Sequence, residues 1–185
     1  MGRRARLTAL LLACAASASA ETSCLARVSE RIGLLRPAFP ALDGLNLVLE
    51  PFESKTDFFR AKPRSPWKPA RDRVYAVLVG DRACAEPPPA DAETAILAHE
   101  LAHLERYAAM GRRSLLALGW EYLVRPEGKA VESFEKDADD RAVKAGHAAG
   151  LAAYREWLYP RLSADEAARK RRLYRTPREL LSSSR

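Results

Sequence analysis

Between Pro87-Pro88-Pro89 and Gly111 no residue breaks a helix, and the stretch carries His99-Glu100-Leu101-Ala102-His103. Its content of Ala, Leu and Glu predicts a long helix over Asp91 to Tyr107, with Asp91 as N-cap. His99 and His103 then lie on one face, with Cβ atoms roughly 5–6 Å apart. Two imidazoles so placed can reach one Zn²⁺ at about 2.0–2.1 Å without bending the backbone. Glu100 follows the first His, where a carboxylate can take a proton from water beside the metal. Ile96, Leu97, Leu101 and Leu104 make the helix apolar on more than one side, so it should be central and buried. Two unpaired histidines would be costly there. The chain has three His, and two of them fall in this motif.

A catalytic zinc site needs a third protein ligand and an open fourth position. The sources are the acidic run Glu132 to Asp140 and the remaining His147. On a helix over Lys129 to Ala145, closed by Gly146, one face carries Glu135, Ala138, Asp139, Ala142 and Gly146. Two carboxylates one turn apart otherwise meet only small residues, which let a neighbouring helix come close. A charge on such a face needs a partner, and a cation held by His99 and His103 would be one. A solvated acidic helix accounts for Asp137 and Asp140 but not for the small residues around Glu135 and Asp139.

HELAH followed by Ser133-Phe134-Glu135-Lys136-Asp137-Ala138-Asp139-Asp140-Arg141-Ala142 resembles the Glu-zincin metallopeptidases, whose pattern is HExxH…ExxxD. It is most similar to the CAAX prenyl endopeptidase type and its bacterial periplasmic relatives, whose second motif reads S-F-E-x-x-A-D-x-x-A. The resemblance covers about residues 91–146. It implies a zincin-like fold and one Zn²⁺ per chain on His99, His103 and Glu135. Asp139 would fix the tautomer of a ligating His, and Glu100 would be the base in hydrolysis of a peptide or protein substrate. Both the membrane helices of the prenyl endopeptidase and the His-Pro motif of its relatives are absent. The group that stabilises the oxyanion therefore stays open among His147, Tyr107, Tyr154 and Tyr159. A rival reading is a non-catalytic zinc-binding envelope protein, its coordination closed by His147 or Asp137. A third is an exported domain without metal.

Arg3, Arg4 and Arg6, the apolar run Leu7 to Ala16 and Ala18-Ser19-Ala20 predict a signal peptide over residues 1–20 and one domain over 21–185. Export leaves Cys24 and Cys84 as an even pair in an oxidising compartment, the periplasm or the exterior. A disulfide between them would close a loop of about 60 residues, worth roughly 4 kcal/mol in the chain-entropy model. Leu11-Leu12-Ala13-Cys14 offers the alternative of a lipoprotein anchored through Cys14. No later segment is long and apolar enough to span a bilayer: Leu115 to Val124 carries Gly119 and Glu121.

The net charge of +7 includes the three arginines of the leader. Much of the rest is local, in Arg169-Lys170-Arg171-Arg172, which reads as a solvated helix end or a weak contact with an anionic envelope surface. An exported chain has little occasion to meet nucleic acid. The remaining pattern predicts an α+β fold, a small N-terminal sheet followed by helices. Ser23 to Leu35 and Arg112 to Val124 read as helices, as does Leu151 to Tyr159. Ser163 and Thr176 each open a capping box. Leu45 to Glu50 and Arg73 to Val79 read as strands, with Phe52 to Ala70 a loop or irregular hairpin between them. Arg73 to Val79 is the expected sheet edge for an extended peptide.

Overall fold

A computed structural model describes residues 22–183. The signal-peptide and Cys14 readings fall outside the described residues. Helix α1 (residues 22–35) buries Cys24, Val28, Ile32 and Leu35, the stripe expected from their helical spacing. Two 3-10 turns, each begun with the help of a proline, lead from it into the sheet.

Strands β1 (Asn46–Phe52), β2 (Phe59–Arg64) and β3 (Val74–Gly80) form one sheet in the order β1-β3-β2. β1 runs parallel to β3, and β2 antiparallel. The expectation that Arg73 to Val79 forms an edge is therefore corrected. Its run of Tyr75, Ala76, Val77, Leu78 and Val79 is buried on both faces, the mark of a strand paired on both sides. The edges are β1 and β2, and β2 lies inside the stretch expected to be irregular. There Phe59 and Ala61 point inward and Arg60 and Lys62 outward, a period of two. The Gly80 N–H donates to the Phe58 carbonyl at 2.8 Å. In this antiparallel register the backbone groups of Arg60 and Lys62 then face β3, while those of Phe59, Ala61 and Pro63 face outward. Pro63, which has no N–H, sits where none is required.

Helix α2 (Asp81–Ala85) carries Cys84, bonded to Cys24 with a Cα–Cα distance of 5.4 Å, as the even cysteine pair predicted. This closes the loop across 60 residues. The bridge places α1 beside helix α3 (Ala90–Ala109). From α1, Arg27 and Arg31 reach the buried Glu93 of α3 at 2.9 and 2.7 Å. Pro89, not Asp91, is the N-cap of α3; Asp91 lies in its first turn, where a carboxylate still suits the helix dipole. At the other end the buried Arg73 guanidinium donates to the carbonyls of Tyr107 and Met110. A cation there matches the C-terminal dipole and satisfies orphan acceptors.

The rest is helical: α4 (Arg112–Val124), α5 (Lys129–Lys144), α6 (Ala148–Leu158), α7 (Ala164–Leu173) and α8 (Pro177–Ser182). Gly146, at φ +92°, ends α5 in the left-handed conformation that glycine adopts cheaply. Gly150 lets α6 cross α3 closely, since a Cβ there would lie 2.6 Å from the Asp91 carbonyl oxygen. Thr176 opens α8 with a complete capping box, whereas Ser163 makes only its own half of one. The basic run on α7 is not a uniformly solvated face: Lys170 is buried against Asp57 at 3.0 Å, Arg169 pairs with Glu166, and Arg172 pairs with Glu127. Arg171 lies over the Tyr159 ring. The architecture is α+β and mostly helical among the described residues.

Candidate metal centre

The centre is built where α5 packs on α3. Ala138 and Ala142 are buried in that contact, and their small side chains let Glu135 and Asp139 reach the histidines. His103 Nε2 lies 3.0 Å from Glu135 Oε2, and His99 Nε2 lies 3.4 Å from the same oxygen. One ligand atom from each of His99, His103 and Glu135 falls within 4.8 Å of the others, and all three residues are buried. The two imidazoles meet edge to face, and His103 stacks on Phe134 with ring centroids 4.8 Å apart.

Other elements hold these groups in place. Asp139 is fully buried, and its Oδ1 lies 2.8 Å from His99 Nδ1. The same oxygen accepts from the buried Arg155 guanidinium at 2.9 Å, and Oδ2 accepts the Arg175 backbone N–H at 2.9 Å. A proton kept on Nδ1 leaves the Nε2 lone pair facing Glu135. Tyr122 of α4 donates its hydroxyl to Glu135 Oε1 at 2.5 Å, so Oε2 is the oxygen turned to the histidines.

Burial alone would raise the Glu135 carboxyl, but His103 and His99 outweigh it and hold the group well below the usual range. For Asp139 burial is likewise outweighed, first by Arg155 and then by His99. Burial pulls the His99 imidazole down, yet Asp139 overrides it and raises the group to about 9. Glu100 moves the other way. Its burial dominates, the two histidines and the Ala61 backbone N–H offset only part, and its carboxyl is raised.

Two imidazole nitrogens and one ionised carboxylate oxygen, drawn together in a buried site, fit a divalent cation. Without one, this much polar surface out of water is costly. The donor set suits Zn²⁺ and also matches the two-His, one-carboxylate set of non-haem iron. No family model, curated protein or solved structure matches the chain.

The structure thus brings together His99, Glu100, His103, Glu135 and Asp139. The residues considered for the oxyanion separate. His147 is the residue before α6, half-buried, and its ring is lowered by burial alone. Tyr159 has a buried hydroxyl without a hydrogen-bond partner, and burial raises it first, with Arg155 and then Asp139 the leading charges that act on it. Asp137 is taken by Arg106 and Arg141. Tyr107 and Tyr154 do face the centre: burial first and then Glu135 and Glu100 raise Tyr107, and Glu100 also acts on Tyr154.

Sequence reasoning missed Tyr122, Arg155 and Tyr174. Burial and then Glu135 raise Tyr174, whose ring lies 5.8 Å from that of His99 and 4.3 Å from the Arg155 guanidinium carbon. Each comes from an element far along the chain with no spacing relation to the motif. The one available signal is Arg155, the single basic residue of helix α6, which is apolar but for it and Glu156.

Proposed function

We propose that the protein is an exported zinc metallopeptidase of the Glu-zincin kind. The observation that carries this reading is Glu100, a buried carboxylate with a raised pKa beside three residues able to hold a metal. A purely structural site has no use for it. His99, His103 and Glu135 would hold the ion, which when bound supplies Lewis acidity toward a carbonyl and lowers the pKa of water. Glu100 takes the proton of the attacking water and returns it to the leaving amine, work for which a carboxylate with a raised pKa is suited. Asp139 and Arg155 keep His99 oriented, and Tyr122 keeps Glu135 turned to the ion.

The substrate reading rests on the outward backbone groups of Phe59 and the carbonyl of Ala61 on the edge of β2. That edge packs beside α3, and the Ala61 N–H acts on Glu100. An extended peptide added there as a further strand would pass in front of Glu100. The disulfide suits an oxidising compartment, and no described helix is long and apolar enough to cross a membrane.

The test separates binding from chemistry. Purified protein should hold about one zinc, and Ala at His99, His103 or Glu135 should abolish it. Glu100→Gln should keep the zinc and lose about 10²–10⁴-fold in peptide hydrolysis. Hydrolysis unchanged in Glu100→Gln would overturn the role of Glu100, whereas wild type that holds zinc and hydrolyses no peptide would favour the non-catalytic zinc-binding reading.

A further inference from the structure

Helix α4 is turned inside out. At 100° per residue, Leu115, Leu118 and Tyr122 share the side that meets the protein, and Leu115 is the one fully buried residue among them. The opposite side carries Leu116, Trp120, Leu123 and Val124, all exposed; Trp120 is 62% and Leu123 74% accessible. A contiguous apolar stripe on the outside of a protein marks a place where something binds. Arg112 and Arg113 lie on this same outer side at the N-terminal end of the helix. The Arg112 guanidinium donates to the Trp67 carbonyl at 3.4 Å, placing a second exposed tryptophan and its neighbour Lys68 beside the stripe.

The charges here differ from those of the basic run on α7. Among the described residues, Lys68, Arg112 and Arg113 have no carboxylate within ion-pair distance, whereas Arg169, Lys170 and Arg172 on α7 are each paired. The one acidic residue of α4, Glu121, lies on the flank beside Arg125 at 3.8 Å. Leucine and tryptophan flanked by unpaired cations is the composition of a helix that lies in the interfacial plane of a bilayer. Self-association is disfavoured, since pairing two such faces sets the two-arginine end against its own copy or against Arg125.

We propose that the outer face of α4, with Trp67 and Lys68 beside it, docks the protein on an anionic lipid surface. The anionic-surface contact expected of the α7 run then belongs to α4. Because Tyr122 reaches Glu135 from the inner side of the same helix, the metal centre would sit about one helix diameter, roughly 10 Å, below the lipid.

The full chain, expressed for export and purified in its oxidised form, is sedimented with vesicles of equimolar phosphatidylglycerol and phosphatidylcholine, and with phosphatidylcholine alone. Binding to the anionic vesicles, weakened by salt, is expected. The double variant Trp120→Ser with Leu123→Ser should lower partitioning roughly tenfold or more, since both side chains would leave the interface. Arg112→Glu with Arg113→Glu should remove the preference for anionic lipid. Both variants should keep a Tm close to wild type, because all four residues are exposed and the one contact removed is the 3.4 Å hydrogen bond from Arg112 to the Trp67 carbonyl. The proposal is overturned by wild type that stays with neither vesicle, or by both variants binding as wild type does. It is equally overturned by a concentration-dependent dimer, without vesicle binding, that Trp120→Ser with Leu123→Ser dissolves.

Discussion

Helices α3 and α4 follow one another in the chain, and both carry several leucines, yet they meet water in opposite ways. α3 buries Glu93, His99, Glu100 and His103 along with its apolar residues, while α4 buries Leu115 and leaves two leucines, a valine and a tryptophan outside. Hydrophobic composition therefore did not decide which of the two became the core. What decided it was supply. α3 has partners for its charges from α1, α5 and, through Asp139, α6, whereas α4 has packing on one side alone. The informative positions in a fold are the buried polar group and the exposed apolar one, and these two helices hold most of both.

The most severe way to break this contrast is to remove a partner from the buried side. Arg155→Ala leaves Asp139 with His99 and one backbone N–H for its charge. Breaking a buried pair by deleting one member costs about 3–5 kcal/mol. Urea denaturation should show that loss, and an unchanged midpoint would mean that the Arg155–Asp139 contact at 2.9 Å contributes nothing.

A smaller effect comes from protons. With metal removed by chelator, His99 titrates near 9 in the folded state, above the ordinary 6.5 expected when unfolded. A raised folded-state pKa contributes stability that is complete below pH 6.5 and is lost as pH rises through about 9. Metal-free protein should thus lose stability across that window. Stabilisation by added Zn²⁺ should grow across it, because the ion binds neutral imidazole. Thermal melts with and without zinc between these limits check both slopes, and parallel curves would remove Asp139 from its assigned part in setting His99.

How much of this was legible in the chain follows from geometry. His99, Glu100 and His103, and again Glu135 and Asp139, lie within single helices, where residue spacing alone puts groups on one face. The disulfide was legible because the leader expected over residues 1–20 would leave two cysteines, Cys24 and Cys84. Arg155, Tyr122 and Tyr174 were not, since their approach depends on how α6, α4 and the segment after α7 fold over α3. β3 was taken for an edge although its unbroken apolar run suits a central strand. β2 was hidden because Pro63 masks an alternation that Phe59 to Lys62 otherwise shows. Even so, Tyr122 can be tested as part of the site. Tyr122→Phe removes one hydrogen bond to Glu135 and should weaken zinc binding by about 10–100-fold, as loss of a group that orients a ligand does. Competition with a chromophoric chelator reads this directly, and an unchanged affinity would detach α4 from the metal centre.

The smallest expected effect sharpens the contrast best. Leu123 is 74% exposed and Leu97 is fully buried, although each stands in an apolar stretch of its helix. Leu97→Ala should cost about 2–5 kcal/mol, combining lost transfer energy with a cavity. Leu123→Gln keeps helix propensity nearly constant and removes no buried contact, so its cost should stay within about 0.5 kcal/mol. Overlapping denaturation curves for Leu123→Gln and wild type would place the outer face of α4 outside the energetics of folding. Its apolar side chains would then be kept for contact with something other than this chain. A loss above about 1 kcal/mol would mean instead that the face is covered in the folded protein. The two helices would then differ in degree rather than in kind.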